Sequence, residues 1–391
     1  MVSDTKGSRL AEKIAAVVLL LMAVGTVFVF SASANIGQEL DLRRFYDFPA
    51  SRRIVFFPVA CLVMYAASCF DYRRFSLARG WLRSPTGYWL VLSVALLILV
   101  LVPQFGTEIN RARRWLRIPL GPVVVSFQPS ELAKWAAVFF LAAVCDKFGP
   151  DIGLYWKRFV PLCLVVATVV GLVVIEDFGT AAFMAIVAFL ILAGAGAKWW
   201  HLLTPVPFGM AGFFVLLISS PSRMQRIAAF LRPEQWEDSA GYQANQSLVA
   251  LGSGWLWGKG LGEGICKYGH LPEDTTDFVF AIIGEELGFV GAAAVIGLFI
   301  AFVALGIMVV LRSRDRFGQL LAGGIVLTIA LQAVLNIGVV TVVLPTKGIP
   351  LPFVSAGGTS MLLSAAAVGV LLNIAKQAAQ KSAESQDKLS Q

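Results

Sequence analysis

The sequence predicts an all-α polytopic membrane protein of about ten transmembrane helices, with one long extracytoplasmic loop between the seventh and the eighth. Three observations carry that reading. Of 391 residues, 58% are hydrophobic and only 14% charged, against roughly a quarter charged in an ordinary soluble domain. Ten apolar runs follow one another along the chain, and spans of ~20 apolar residues each cross a hydrocarbon core ~30 Å thick. Basic residues recur in every second connection, as short cytoplasmic loops require.

The runs cover residues 14–30, 54–70, 88–102, 132–145, 159–175, 180–197, 202–219, 278–311, 320–344 and 360–374. The first imitates a secretory leader, because Lys13 precedes it and Ser31-Ala-Ser-Ala34 resembles a small-residue cleavage site. Its length favours a retained anchor over a cleaved apolar region of 7 to 15 residues. With the N-terminus inside, the inner loops hold Arg73, Arg74, Arg79 and Arg83, then Lys147, Lys157 and Arg158, then Lys198, then Arg312, Arg314 and Arg316. An even number of spans returns the C-terminus to the cytoplasm. The expected organisation is one transmembrane domain over 1–375, with 376–391 as a disordered cytoplasmic tail rich in Ser, Gln and Lys.

The net charge of +8 sorts onto the two membrane faces and calls for no nucleic-acid partner. The five cysteines form no Cys-x-x-Cys pair and read as small buried hydrophobes, and two isolated histidines, His201 and His270, offer no zinc or haem cluster. Outer segments are nearly as basic as inner ones, which needs its own explanation. The segment Asn110-Arg-Ala-Arg-Arg-Trp-Leu-Arg117 brings Arg111, Arg113, Arg114 and Arg117 together. Guanidinium groups suit bidentate phosphate contact, in a lipid head group or in a diphosphate substrate.

The loop over 221–276 far exceeds the usual ~4 to 6 residues of a connection. Its first part, 223–232, has a basic and an apolar face and suits either the membrane interface or a cap on the bundle. The later Gly258-Lys-Gly-Leu-Gly-Glu-Gly264 is no dinucleotide fingerprint, because no strand precedes it. Spaced glycines allow tight turns and close backbone approach in a compact loop. Asp277 follows at the start of the eighth span, where a helix cap and a catalytic carboxylate are both open readings. Glu285 lies ~12 Å further along the helix and, with Glu286, places carboxylates inside the apolar run. Such groups need a cation or a polar cavity. Lys134, in the fourth span, is a candidate partner, with a local pair to Glu131 at i, i+3 as its alternative. The segment 344–359 holds three prolines and three glycines, so it cannot be helical throughout and is expected to line a cavity, with Lys347 at its rim.

Taken in order, these motifs resemble the SEDS family (shape, elongation, division and sporulation), from about Phe28 to Asn373. The most specific pieces are Arg114-Trp115, Gln128-Pro-Ser-Glu-Leu-Ala-Lys134, Asp177-Phe-Gly-Thr180, Leu271-Pro-Glu with Thr276-Asp-Phe278, Gly284-Glu-Glu-Leu-Gly288, and Pro350-Leu-Pro with Ser355 and Gly357-Gly358. The wording at Pro345-Thr-Lys-Gly348 and Ile282-Ile-Gly-Glu-Glu286 is more similar to the division member than to the elongation member. Ala356, Arg111, Glu176 and Trp255 depart from the family pattern.

The resemblance implies a peptidoglycan glycosyltransferase of ten transmembrane helices in the bacterial cytoplasmic membrane. It would polymerise lipid II with a class B penicillin-binding protein and other divisome membrane proteins as partners. Asp277 is then the catalytic base on the acceptor's 4-hydroxyl, with Glu273 nearby to raise its pKa. Arg114, helped by Arg111, Arg113 and Lys347, would stabilise the leaving diphosphate. Glu131, Lys134 and Ser355 complete the expected substrate-binding set, and Glu285, Glu286 and Asp177 shape the cavity. A divalent cation, magnesium or manganese, is the one cofactor this chemistry suggests. The rival readings are a lipid II flippase and a docking scaffold; a transporter would show repeat symmetry and midplane charges.

Overall fold

The computed structural model describes residues 4–33, 49–109, 112–120, 123–232, 236, 241–267 and 275–390. The elements run α1 (Asp4–Ser33), α2 (Pro49–Cys69), α3 (Pro85–Leu101), β1 (Gly106–Ile109), β2 (Ala112–Leu120), β3 (Val123–Phe127), α4 (Pro129–Phe148), α5 (Val160–Glu176) and α6 (Phe178–Gly194). They continue with α7 (Trp199–Leu203), α8 (Pro205–Ile218), α9 (Pro221–Leu231), α10 (Tyr242–Ser253), α11 (Val279–Arg312), α12 (Arg316–Val340) and α13 (Gly358–Ser390). A helix lies on each of the ten apolar runs. Among the described residues seven helices are long and apolar enough to cross a membrane, while α3 and α6 are apolar but shorter, at 17 residues each.

The protein is a multi-pass membrane protein whose interior is built around α4. This helix packs against α3, α6 and α12 and buries nearly its whole circumference. That explains a span interrupted by Glu131 and Lys134: its polar groups face protein, never lipid. Close approach of neighbours relies on small residues, as where Gly324 of α12 leaves room for Val138 and Ile191. At the rim, α7 and α8 form one apolar span with hardly a buried residue, so its side chains face outward.

The predominantly helical fold carries one β element that the sequence reading did not anticipate. Residues 106–109, 112–120 and 123–127 form a three-stranded antiparallel sheet in the order β1-β2-β3, so Arg113, Arg114 and Arg117 lie on a strand. The β-branched run Val123-Val-Val125 and the apolar Trp115, Leu116 and Ile118 favour extended chain. Glu108 stands opposite Arg113 across the ladder, with their side chains 3.4 Å apart. The sheet caps one end of the bundle, because the Thr359 hydroxyl of α13 donates to the Ser126 carbonyl at 3.0 Å.

The opposite end is tied by Tyr72, whose hydroxyl donates to Asp315 at 2.5 Å and whose amide donates to the Asn373 side chain at 3.1 Å. Residues 376–390 are also helical and extend α13. Ala, Gln, Lys and Glu there are good helix formers, and elongating an existing helix avoids the cost of nucleation. Gln377 anchors the extension by donating to Asp71 at 2.9 Å.

Arg53 lies inside α2 and is almost wholly buried at 1% exposure. Its guanidinium donates to the carbonyls of Phe353 and, at 2.6 Å, Ser355. It thereby holds the irregular 341–357 segment against the bundle. Replacing it with methionine leaves those two carbonyls buried and unpaired, at about 1–3 kcal/mol each. Arg53→Met is expected to lower the thermal unfolding midpoint of the purified protein clearly; an unchanged midpoint would contradict this role.

Candidate active site

Three non-helical pieces meet at the sheet end: the turn Thr275–Asp277, the 341–357 segment, and β2. The N-cap of α11 is Phe278 and no side chain caps it, so the helix-cap reading of Asp277 gives way. Asp277 is positioned through backbone. Its carbonyl accepts from Asn336 Nδ2 at 2.8 Å, the Thr276 carbonyl accepts from the Ser355 hydroxyl at 2.5 Å, and the Thr275 carbonyl accepts from the Ala356 amide at 3.0 Å. The Ser355 hydroxyl also accepts from the Leu351 amide at 2.8 Å. Ser355, expected from the resemblance to meet substrate, is buried and works as a strut beneath Asp277.

The Asp277 carboxylate stands over Gly348. A Cβ at that glycine would lie 2.7 Å from Oδ2, so any side chain there would displace the carboxylate. The neighbouring Lys347 reaches the other way. Its methylenes lie against Gly179 and its Nζ sits 4.5 Å from the centroid of the Phe178 ring. The same ring receives the Arg223 guanidinium of α9 at 5.1 Å. Burial pushes the Lys347 pKa below the usual lysine range; Asp177 opposes the shift, and Arg223 and Arg226 reinforce it.

Asp177 caps α6 through the Thr180 amide at 3.0 Å and hydroxyl at 2.8 Å, and lies 3.6 Å from Arg114 Nη1. Arg114 Nε donates to the Glu176 carbonyl at 2.8 Å, and the Arg113 amide donates to the Glu176 carboxylate at 2.6 Å. Glu176 therefore pins the arginine-bearing strand to the end of α5. Among the described residues, Lys347, Arg223 and Arg114 lie about Phe178 and Asp177, with Arg226 bearing on Lys347 as a further like charge, a surface suited to a polyanion. Arg223 and Arg226 were visible in the sequence only as the basic face of a short amphipathic helix. Arg111 and Glu273 lie outside the described residues.

The expected cavity shared by Lys134 with Glu285 or Glu286 does not form. Lys134, at 2% exposure, donates to Glu131 at 2.7 Å and to Gln332 Oε1 at 3.0 Å, and Gln332 Nε2 donates to the Pro350 carbonyl at 2.9 Å. Glu131 and Lys134 thus underpin the 341–357 segment from below. Glu285 instead accepts from Lys259 at 2.7 Å and from the Ile265 amide at 2.9 Å. Glu286 accepts from Lys267 at 2.8 Å, the Gly262 amide at 3.0 Å and the Ser31 hydroxyl at 2.5 Å. The partners are loop lysines that fold back over the helix, which spacing along the chain does not reveal. Among the described residues no three His, Cys, Asp or Glu side chains gather to hold a metal ion.

Membrane helices closed at one end by a sheet, with a positioned carboxylate beside a cationic cluster, define a multi-pass membrane protein built to handle an anionic substrate. The family model described as cell cycle protein, covering FtsW, RodA and SpoVE, matches residues 11–380, and the chain belongs to this family. It is 38% identical over 375 residues to the probable peptidoglycan glycosyltransferase FtsW of Trichlorobacter lovleyi, covering 94% of each chain. Stage V sporulation protein E of Bacillus subtilis is 37% identical over 364 residues, covering 92% of this chain and 95% of that one. Among solved structures, a peptidoglycan synthase complex that coordinates polymerization and crosslinking contains a chain matching with a TM-score of 0.71 and 26% identity, over 93% of this chain and 97% of that one. The Thermus thermophilus rod shape determining protein RodA matches with a TM-score of 0.65 and 27% identity, over 93% of this chain and 96% of that one.

Removing one partner of a buried ion pair strands the other charge, typically at 3–5 kcal/mol, whereas removing both is often near neutral. Lys134→Met is therefore expected to destabilise the protein strongly, and Glu131→Gln added to it should recover much of the loss in denaturant unfolding. Equal loss in the single and double variants would show that the pair is not the stabilising unit.

Proposed function

We propose that the chain is a peptidoglycan glycosyltransferase that polymerises lipid II at the outer face of the bacterial cytoplasmic membrane, in the division rather than the elongation branch of its family. The sheet end is the outer end, the termini are cytoplasmic, and the chain crosses the membrane ten times. This orientation leaves Arg73, Arg74, Arg312, Arg314 and Arg316 inside, in keeping with the positive-inside rule. The observation that carries the reading is the dipeptide Lys347-Gly348. Its glycine makes room for the Asp277 carboxylate, and its lysine joins Arg223, Arg226 and Arg114 around Phe178. One short segment thus sets a base beside an anion site.

In the reaction, the acceptor's 4-hydroxyl attacks the anomeric carbon of the donor sugar. The new C–O bond forms as the bond to diphosphate breaks, and Asp277 takes the hydroxyl proton. The cationic cluster receives the charge that develops on the leaving polyprenyl diphosphate. A divalent cation would reach the site on the diphosphate oxygens, since the described carboxylates form no cage for one. A class B penicillin-binding protein, which crosslinks the product, is the proposed partner, alongside other divisome membrane proteins at the septum. The flippase alternative drew on Glu285, Glu286 and Lys134 as midplane charges. Each of these is neutralised in its own pair.

Two outcomes test this. With lipid II and the cognate penicillin-binding protein in vesicles, Asp277→Asn should lower glycan polymerisation by about 10²-fold or more, the usual scale of a positioned base, without a change in thermal stability. Undiminished polymer would remove Asp277 from this role. Lys347, whose pKa burial lowers, loses its charge at a lower pH than an ordinary lysine, so wild-type activity should fall on the alkaline side. Arginine stays protonated throughout, so Lys347→Arg should move that alkaline limb upward; coincident pH profiles would exclude a charge role for Lys347.

A further inference from the structure

Inside α11 the backbone leaves the helical region at Gly288, at φ 67° and ψ −163°. A regular helix would pair the amides of Phe289 and Val290 with the carbonyls of Glu285 and Glu286. Here the loop after α10 takes up all four groups. The Phe289 amide donates to the Trp255 carbonyl at 2.7 Å and the Val290 amide to the Leu256 carbonyl at 3.2 Å. The Lys259 and Gly260 amides donate to the carbonyls of Glu285 and Glu286, each at 3.0 Å. Lys259 also binds the Glu285 carboxylate. The loop is therefore clamped at the level of Phe289 on the helix.

That level can be placed in the bilayer. From Phe289 to Arg312 the helix rises about 36 Å at 1.5 Å per residue, enough by itself to cross a hydrocarbon core. Arg312 marks the inner boundary, so Phe289 stands at the outer one. The side chains the loop presents outward at this height are apolar apart from the exposed Glu263: Trp255 is 82% exposed, Trp257 79%, and Leu256, Leu261 and Ile265 are exposed as well. They continue without a break into the lipid-facing side of α11, where Phe289 is 67% exposed and Val290 and Ile300 are also exposed. Trp255 holds this outward position at a φ of 48°, a conformation that tryptophan adopts reluctantly. Indole rings concentrate where apolar body and polar edge meet the two sides of a membrane boundary.

We propose that residues 254–265 form a monotopic anchor, with Trp255, Leu256, Trp257, Leu261 and Ile265 seated among the head groups and first acyl carbons of the outer leaflet. The anchor fixes the height of the break at Gly288 relative to the lipid surface, and through the Glu285 and Glu286 clamps it fixes the height at which Asp277 stands. It is a lipid contact distinct from the substrate site and independent of which lipid the protein processes.

The test uses the full wild-type chain in nanodiscs of phosphatidylethanolamine and phosphatidylglycerol doped with a phospholipid that carries a diazirine near its head group. After illumination, adducts are mapped by peptide mass spectrometry. Adducts on the Trp255–Trp257 peptide, at a yield comparable with those on Phe289 and Val290, are expected. Hydroxyl-radical footprinting of the same sample should show both indoles losing most of the oxidation they undergo in the unfolded chain. Full oxidation of both indoles without lipid adducts would place the loop in water and overturn the proposal. Protection without adducts, gained only when a penicillin-binding protein is bound, would make the surface a protein-docking face and overturn it equally.

Discussion

Non-helical backbone beside a hydrocarbon core has to find its hydrogen-bond partners inside the protein, because lipid offers none. Among the described residues two stretches depart from the helix at such a level, and the surrounding architecture serves their unpaired groups. For the 341–357 segment the partners are side chains sent from neighbouring helices: Arg53 from α2, Gln332 and Asn336 from α12, and Ser355 from within. For the break at Gly288 the partners are the backbone groups of the 255–260 loop. Asp277 lies between these two repairs. Its carbonyl shares Asn336 with that of Ile349, so the position of the carboxylate follows from the pairing of the irregular backbone. That pairing constrains the site, as the role proposed for Asp277 requires of a base that must meet its hydroxyl at one distance.

The charges divide on the same principle. Acid–base pairs are sealed into the bundle, Lys134 with Glu131 and Lys267 with Glu286, each with further hydrogen bonds, while the buried Arg53 is satisfied by carbonyls instead. Among the described residues the charges at the sheet end are less evenly matched: Arg114 and Lys347 share Asp177, while Arg223 and Arg226 bear on Lys347 as like charges. Bringing like charges together costs free energy that stability alone would not favour, so the imbalance points to function. The depressed Lys347 pKa is the imprint of that cost: burial and two guanidinium groups push the proton off, and one carboxylate draws it back.

The apolar periodicity made the helical framework legible, since buried or lipid-facing helices are long enough to write their signature over many residues. What escaped was structure whose partners are remote in sequence. The sheet was hidden because the arginines of this outer segment break any apolar alternation, and only the pairing of Glu108 with Arg113 and of Leu116 with Phe127 makes residues 112–120 a strand. Asp277 and Lys347 could be singled out because an acid at a span boundary and a lysine in a proline-rich apolar segment are both locally anomalous. Arg223 and Arg226 could not, for a basic face on a short helix is common. The partners of Glu285 and Glu286 were equally beyond reach: Lys259 lies 26 residues away from its glutamate, and nothing local says that the glycine-rich loop turns back on the helix.

The glycines of that loop now have a physical account that no nucleotide motif supplies. Gly258 carries a φ of 78°, and a Cβ on it would lie 2.1 Å from the Glu286 carbonyl oxygen; at Gly288 a Cβ would meet the Gly258 amide at 2.3 Å. The two glycines are in mutual contact, each making room for the other's backbone. A helix interrupted at one glycine and rebuilt by a loop containing another can bring two carboxylates and two lysines together without a side chain between them. The glycine spacing therefore records a contact between backbones, and the phosphate recognition proposed for this protein belongs to the cationic groups around Phe178.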